Sequence, residues 1–493
     1  SLSAWESEVS DRAKSQAQGI PQPAFSSAIR RNILLIERAL QGNLVIPDFQ
    51  RFCDDLRTLY DETKSDRRGA PADYIPQLQL EAPAVDQFGV SVCTIDGQRF
   101  SVGDTDEFFT VQSTCKPINY CLAVEEHGEE EVHRYVGREP SGVSFNELTL
   151  NTRNRPHNPL VNAGAIMCCS LIGLNQRRAR LHESESDLRG WAGCRFDNVI
   201  DSWRALAGGV SPRFSNSVYL SERETADRNF ALGYFMREKG AFPADADLLD
   251  VLELYFQCCS IEVTTEIMSV VAATLANGGV CPVTGERVFQ TKTVQNCLSL
   301  MYSCGMYDFS GEFAFSIGLP AKSGVAGALM LVVPNVMGVC TWSPRLDEIG
   351  NSVRGVRFCQ RLVSQFNFHN YDILAGHRGK RDPRINAVQA ESNQVNGLIW
   401  ASSKGDISAV QRQLTLGADL NVADYDRRTP LHLAAAEGQE AMVRFFVEHA
   451  RETATKTNLD PVDRWGGTPL DDAYDHGHEG VIAILEGAGA ARG

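Results

Sequence analysis

Ser113 and Lys116 stand three residues apart in Ser113-Thr114-Cys115-Lys116, where the apolar run Phe108 to Val111 enters a helical pattern that continues through Tyr120 and Val124. Spacing i, i+3 puts both side chains on one face of a helix. A lysine desolvated there sheds its proton and can take the serine's, which turns a weak hydroxyl into a nucleophile. Ser113 also lies where the N–H groups of a helix N-terminus favour negative charge. The chemistry such a pair can do is acyl transfer. A lone S-x-x-K is more often a serine N-cap followed by a solvated lysine, so the motif needs support from elsewhere in the chain.

Support comes from Lys322-Ser323-Gly324, just ahead of the apolar stretch Ala328 to Val333. This resembles the K-T-G element that borders the active site of penicillin-recognising serine enzymes. S-x-x-K upstream and K-S-G on a late strand form a β-lactamase-like layout, but the middle of the chain lacks an S-D-N element and carries other blocks. These are Tyr74-Ile75-Pro76-Gln77-Leu78, Val111-Gln112-Ser113 with Lys116-Pro117, and His157-Asn158-Pro159-Leu160-Val161-Asn162-Ala163-Gly164-Ala165. Further on come Ser221-Glu222-Arg223-Glu224 with Asp227-Arg228-Asn229-Phe230, Tyr255-Phe256-Gln257, Cys304-Gly305-Met306-Tyr307-Asp308, and Ala321-Lys322-Ser323-Gly324-Val325-Ala326-Gly327. Together they resemble the glutaminase family from about Phe25 to the C-terminal repeats. The order of helical module, catalytic domain and ankyrin tail is similar to that of the animal kidney- and liver-type mitochondrial members.

The resemblance implies hydrolysis of L-glutamine to L-glutamate and ammonia, with Ser113 as nucleophile and Lys116 as general base. It implies that Tyr255 and Tyr307 assist proton transfer and line the site, and that the N–H groups of Ser113 and Val325 form the oxyanion hole. Tyr74, Gln112, Asn162, Glu222 and Asn229 would hold the substrate together with these, Glu222 facing its ammonium and the amides and phenols its carboxylate. No cofactor or metal is expected. The resemblance further implies a homotetramer able to extend into filaments, activation by inorganic phosphate and a mitochondrial location, as a processed form without its transit segment, the cytosol being the alternative. It also implies that the Gly142 to Asn151 loop couples subunit contacts to the site. Glu147 and Thr149 there depart from the basic and aromatic residues of vertebrate members.

Each residue also has a plainer reading. Ser221 and Glu224 form an S-x-x-E capping box that leaves Glu222 without a structural reason. Tyr255 and Tyr307 fit as core aromatics, while Asn162 in an apolar segment is harder to dismiss, because a buried amide without partners costs roughly 1 to 3 kcal/mol. Two rivals follow. A β-lactam-recognising hydrolase is opposed by the Glu222 and Asn162 blocks, and a catalytically inactive ankyrin scaffold is opposed by the intact Ser113, Lys116, Tyr255 and Tyr307.

The elements that must position these residues are legible in outline. With 493 residues, of which 43% are hydrophobic and 22% charged, the chain has material for two to four ordinary domains. Its net charge of -15 removes the global positive field that nucleic-acid binding needs. Fourteen cysteines without a C-x-x-C pair read as free thiols in a reducing compartment. The longest nearly apolar stretch, Val161 to Leu174, is shorter than the ~18 residues of a membrane span and reads as a buried core helix.

Ile29, Ile33, Ile36 and Leu40 predict one amphipathic helix, and Phe49, Phe52, Cys53, Leu56, Leu59 and Tyr60 predict a second. Alternation at Val90, Val92 and Thr94, then Asp96-Gly97, predicts a hairpin with a two-residue turn. Late strands at Ala328 to Val333 and Val336 to Trp342, with helical patterns between, predict an α+β domain whose sheet joins distant segments. Leu174 to Arg195 reads as a charged surface insertion, and basic residues between 376 and 396 as a linker. Thr429-Pro430-Leu431-His432-Leu433-Ala434, echoed at Thr468-Pro469-Leu470, matches the ankyrin signature, with about three units and a protein partner expected. The boundaries are a segment at 1–24, an EF-hand-like helical module at 25–70, a β-lactamase/penicillin-binding-protein-like catalytic domain at 71–370, the linker at 371–395 and the repeats at 396–493.

Overall fold

Strands buried on both faces build the sheet that carries the site. The computed structural model describes residues 32–33, 35–142, 147–183, 190–372, 379–385, 387–415, 418–452 and 457–493. The expected segment 1–24 and Ile29 lie outside them, as do 143–146 of the loop, 184–189 of the insertion, and 373–378 and 386 of the linker. The described strands are β1 (Gly89–Thr94), β2 (Arg99–Gly103), β3 (Phe109–Thr110), β4 (Arg213–Phe214), β5 (Ile261–Val263), β6 (Ala321–Ser323), β7 (Ala328–Val333) and β8 (Met337–Trp342).

Five of them form an antiparallel sheet in the order β2-β1-β8-β7-β6, so the first hairpin and the last three strands meet in its middle. Strands β1, β7 and β8 are buried at every residue and need cover on both faces. Leu329, Leu331 and Val333 face Phe52, Leu56 and Leu59 of the Phe49–Thr63 helix and Phe358 and Leu362 of the Val353–Gln365 helix. Met330 and Val332 face the other way, into the core that includes Met268 and Val271 of the Thr265–Ala276 helix. That helix lies so close on β8 that a Cβ at Gly338 would come within 2.1 Å of Ala273 N. The expected second amphipathic helix thus shares one hydrophobic core with the sheet.

The β1–β2 turn differs from the two-residue form. Thr94 N–H donates to Gln98 O and Gly97 N–H to Thr94 O, each at 2.9 Å, so Ile95, Asp96 and Gly97 form a three-residue loop with Gly97 at φ 89°. Asp96 is buried and takes hydrogen bonds from Arg38 and from Val45 N–H, which ties the chain before the first strand to this loop. A second, three-stranded sheet, β3-β5-β4, holds the chain that leads into the helix Lys116–His127.

Residues Tyr371–Gly493 form a separate compact unit. Among the described residues three helix pairs repeat there: Ala387–Ser403 with Ile407–Thr415, Pro430–Ala436 with Glu440–Glu452, and Pro469–Asp475 with Glu479–Gly487. Thr429 and Thr468 cap the first helix of their pairs, each in a capping box closed by the third helical residue, His432 in one and Asp471 in the other. The Ala387–Ser403 helix begins inside the stretch read from sequence as linker.

Candidate active site

The S-x-x-K segment leaves β3 through Val111, whose N–H donates to Ile261 O of β5 at 2.8 Å. A 3-10 turn, Gln112–Cys115, runs directly into the helix Lys116–His127. Gln112 is held at φ 46°, a left-handed conformation that non-glycine residues adopt at a cost of roughly 1 to 3 kcal/mol and that clusters at functional sites. Its side chain makes the position specific: Nε2 donates to Thr110 Oγ1 at 3.3 Å and Oε1 accepts from Tyr74 Oη at 3.4 Å.

Lys116 is fully buried, and its Nζ donates to Asn162 Oδ1 at 2.6 Å. Burial pulls its pKa below the ordinary lysine value; Cys259, Cys115, Cys169 and Glu222 face it and favour the ammonium. Asn162 opens the buried helix Asn162–Leu171 and donates from Nδ2 to Asn229 Oδ1 at 3.2 Å, which gives the buried amide its partners. The neighbouring motif residues explain how Asn162 is placed. Asn158 Oδ1 accepts from Leu160 N–H at 2.9 Å and Val161 N–H at 3.2 Å, and Gly164 lets the helix close on Asn158, since a Cβ there would lie 1.8 Å from the Asn158 carbonyl.

On the other side of Ser113 stands Tyr307, also left-handed at φ 54°, in a turn fixed by Ser310 Oγ donating to its carbonyl at 2.7 Å. Burial raises its phenol pKa, against which a hydrogen bond with the Ser113 side chain works. Tyr255, on the helix Leu248–Cys259, is buried and likewise raised by burial, with Cys259, Cys115, Glu222 and Cys169 adding to it. Val325 follows β6 in a tight turn that presses on the Ser113 turn: a Cβ at Gly324 would be 2.9 Å from Val111 O and 3.2 Å from Thr114 Cγ2. The Val325 N–H makes no hydrogen bond to another described residue.

Glu222 forms the far wall. Its Oε1 accepts from Tyr74 Oη at 2.6 Å; burial raises its pKa, while hydrogen bonds from Tyr74 and Gln112 and the charge of Lys116 lower it. Tyr74 as a whole residue is 44% exposed, but its hydroxyl is enclosed between Glu222 and Gln112, and this enclosure with the Glu222 charge raises its pKa well above that of a free phenol. The capping-box reading of this block is corrected. The helix runs Asn216–Glu224 and is capped by Ser215, which accepts from Val218 N–H at 3.4 Å, so Ser221 lies inside it and accepts from Gln77 Nε2 at 3.0 Å.

Tyr74, Gln112 and Glu222 thus form one hydrogen-bonded group and Lys116, Asn162 and Asn229 a second, with Tyr307 beside Ser113. Sequence reasoning gave no role to Lys322, which is fully buried with Nζ 4.4 Å from the Tyr307 ring centroid. The K-S-G motif was its only signal. The convergence of Cys115, Cys169 and Cys259 around the site had none.

A family model described as glutaminase matches residues 69–371, and one for ankyrin repeats in three copies matches 398–491. The mouse liver-isoform mitochondrial glutaminase is 47% identical over 462 residues, covering 94% of this chain and 73% of that protein. A putative glutaminase of Caenorhabditis elegans is 46% identical, covering 98% and 76%. Among solved structures, the probable glutaminase ybaS superposes with a TM-score of 0.59 at 34% identity, covering 65% of this chain and 98% of that one, and a form of Mglu with tris and glutamate with 0.58 at 36%, covering 64% and 67%. The chain belongs to the glutaminase family, an α+β, β-lactamase-like catalytic domain followed by ankyrin repeats.

Proposed function

We propose that this glutaminase hydrolyses L-glutamine through a γ-glutamyl ester on Ser113. The observation that carries the mechanism is Lys116: it is fully buried one turn from Ser113 with an amide oxygen, and no carboxylate, as the acceptor of its hydrogen bond, and burial pulls its pKa below the ordinary lysine value. Ser113 Oγ bonds to the side-chain amide carbon while Lys116 Nζ takes its proton. The N–H groups of Ser113 and Val325 receive the oxyanion. The carbon–nitrogen bond then breaks as the nitrogen takes a proton from Lys116 or a tyrosine, and ammonia leaves. Water attacks the ester, Lys116 takes its proton, and glutamate departs as Ser113 regains a hydrogen.

Glutamine is a zwitterion with a neutral reacting end. A buried carboxylate at Glu222 suits its ammonium, and Tyr74, Tyr255 and the amides of Gln112, Asn162 and Asn229 suit its carboxylate. From the same family membership we propose a homotetramer that can extend into filaments, activation by inorganic phosphate, and protein contacts through the ankyrin repeats. The mitochondrial mouse and rat relatives support the same location for this chain.

The test is ammonia and glutamate release from L-glutamine and, separately, L-asparagine, with and without phosphate, by wild type and Ser113→Ala. Glutamine-specific release lost in the variant is expected. Activity retained in Ser113→Ala would overturn the serine mechanism, and no release by wild type under any condition would favour an inactive ankyrin scaffold.

A further inference from the structure

A cleft of about 1090 Å³ opens beside the site, and Val325 lines it while Ser113, Lys116 and Tyr307 do not. Its walls are two chain segments tied to each other. Ala70 N–H donates to Leu346 O at 3.1 Å and Leu346 N–H to Ala70 O at 2.8 Å, and Gly69 lies so close that a Cβ there would be 2.1 Å from Leu346 O. The loop that follows, Asp347 to Asn351, is closed by Asp347 Oδ1, which accepts from the N–H groups of Ile349 and Asn351, each at 2.9 Å. Val356, Arg357, Gln360 and Arg361 of the Val353–Gln365 helix supply the floor. A cleft braced in this way is formed before any ligand enters, and its volume is on the order of small-molecule sites.

The lining combines an apolar bed, which includes Pro71, Ala72, Val325 and Val356, with three guanidiniums. Arg68 reaches Asp66 through Nε and Nη2 and Arg357 reaches it through Nη1, so two guanidiniums share one carboxylate and a positive charge is left over. Arg68 Nη1 and Arg357 Nη2 make no hydrogen bond to another described residue. Arg361 comes within 3.8 Å of Glu62, but side-chain exposures of 50% and 48% leave that pair weakened by water. The carboxylates that line the cleft, Asp347 and Glu348, belong to the loop, and Asp347 is committed to the loop's own N–H groups. Free guanidinium N–H groups beside an apolar bed are what an organic anion binds.

The same walls lead to the site. Ala72 and Val325 pack in one apolar cluster with Ile75 and Leu78, and Tyr74 follows Ala72 by two residues. On the loop side, a Cβ at Gly350 would stand 3.7 Å from Tyr307 Cε2 and 3.9 Å from Val325 Cγ1.

We propose that this cleft is an effector site for an organic carboxylate with an apolar body. The body lies on the Ala72 and Val325 bed, the carboxylate meets Arg68, Arg357 and Arg361, and the occupant holds the segment that carries Tyr74 against Val325, which tightens the site on L-glutamine. This rests on the reading of Tyr74 and Val325 as parts of the glutamine site. An effector can act only as far as it prefers the tightened state, so binding of the two ligands must be mutually favourable.

The experiment is calorimetry of the full chain as Ser113→Ala, which keeps L-glutamine unreacted, with 4-phenylbutyrate as the probe and 4-phenylbutan-1-ol as its uncharged isostere. The carboxylate is expected to bind and the alcohol not to. Gln360 and Arg361 are exposed, so Gln360→Trp, which fills the cleft, and Arg361→Glu, which reverses a charge, test the location without disturbing the core. Each is expected to weaken the probe by about tenfold or more. Saturating L-glutamine is expected to tighten the probe by about fivefold, and saturating probe to tighten L-glutamine by the same factor, because coupling between two sites is reciprocal. In wild type the probe is then expected to lower KM. A probe that competes with L-glutamine marks binding in the active site and overturns the proposal. No binding, equal binding of the alcohol, binding unchanged in both variants, or binding without coupling to L-glutamine overturns it as well. Turnover by Ser113→Ala would instead bring down the serine mechanism, and an affinity for L-glutamine unmoved by Tyr74→Phe the reading of the glutamine site, each a result distinct from those.

Discussion

Lys116 Nζ and Asn162 Oδ1 lie 2.6 Å apart, and Asn162 commits its Nδ2 to Asn229, so the lysine meets an amide oxygen where most buried lysines would meet a carboxylate. A neutral acceptor leaves the depression caused by burial in force. Asn162→Asp keeps the shape and supplies the missing charge. The carboxylate favours the ammonium and raises the lysine pKa, so kcat at neutral pH is expected to fall by roughly 100-fold and to recover as pH rises. A pH–kcat profile checks this, and a flat loss at every pH would show that Asn162 serves only to hold substrate.

Glu222 is expected to act on binding. In Glu222→Gln the site loses the charge that faces the substrate ammonium but keeps the hydrogen bond from Tyr74. KM for L-glutamine is therefore expected to rise by about 10- to 100-fold, with a smaller change in kcat, as the loss of a charge-assisted contact made equally in ground and transition states requires. Steady-state kinetics with L-glutamine settle it, and an unchanged KM would remove Glu222 from the binding site.

How much of this is readable from sequence differs between residues. The serine–lysine spacing and the strands at both ends of the catalytic domain are legible because their periodicities are local. The approach of Lys322 to the Tyr307 ring and of the Gly324 turn to the Ser113 turn is not: it depends on the sheet order that brings β6, at an edge, against the turn after β3, and no local pattern encodes that. The S-x-x-E reading at Ser221 fails for a related reason. Ser and Glu three apart occur inside helices as well as at their starts, and the competing cap at Ser215 lies six residues upstream. At the first hairpin, the turn length is set by the pairing of Thr94 with Gln98, which the dipeptide Asp96-Gly97 does not reveal.

Gly305 shows what one missing Cβ contributes to the site. Its N–H donates to Met301 O and its carbonyl accepts from Ser323 N–H, each at 3.1 Å, so it joins the end of the Thr291–Cys304 helix to β6 two residues before Tyr307. A Cβ there would stand 1.8 Å from Ala321 O and 2.5 Å from Met301 O. Gly305→Ala is expected to destabilise by about 3 kcal/mol and to lower kcat, because β6 and Tyr307 move apart together. Gly311, in the helix Ser310–Ser316, is the control, since an added Cβ there would meet nothing within 4 Å. Gly311→Ala is expected to be neutral or to stabilise by up to about 1 kcal/mol. Urea unfolding and kcat of both variants check the pair, and equal behaviour would refute the packing argument.

Asp66 supplies a pH-dependent part of the stability far from the chemistry. Its side chain is 3% exposed, and it accepts from Arg68 Nη2 at 2.6 Å, Arg68 Nε at 2.9 Å and Arg357 Nη1 at 2.8 Å, tying the chain after the Phe49–Thr63 helix to the Val353–Gln365 helix. The hydrogen bond from Arg68 is the largest influence on it, and with Arg357 it outweighs burial and holds the carboxyl well below the usual carboxylate range. The folded-state pKa thus lies below the unfolded value of about 3.9, so the unfolded chain binds the proton first on acidification. The contribution is complete above the unfolded pKa and is lost as pH falls through the folded one. Asp66→Asn is therefore expected to be less stable than wild type by about 1 to 3 kcal/mol at neutral pH, and the gap is expected to close as pH drops below roughly 4. Urea unfolding of both proteins at a series of pH values measures it; a gap that persists undiminished in acid would mean that the amide fails for reasons of geometry, not charge.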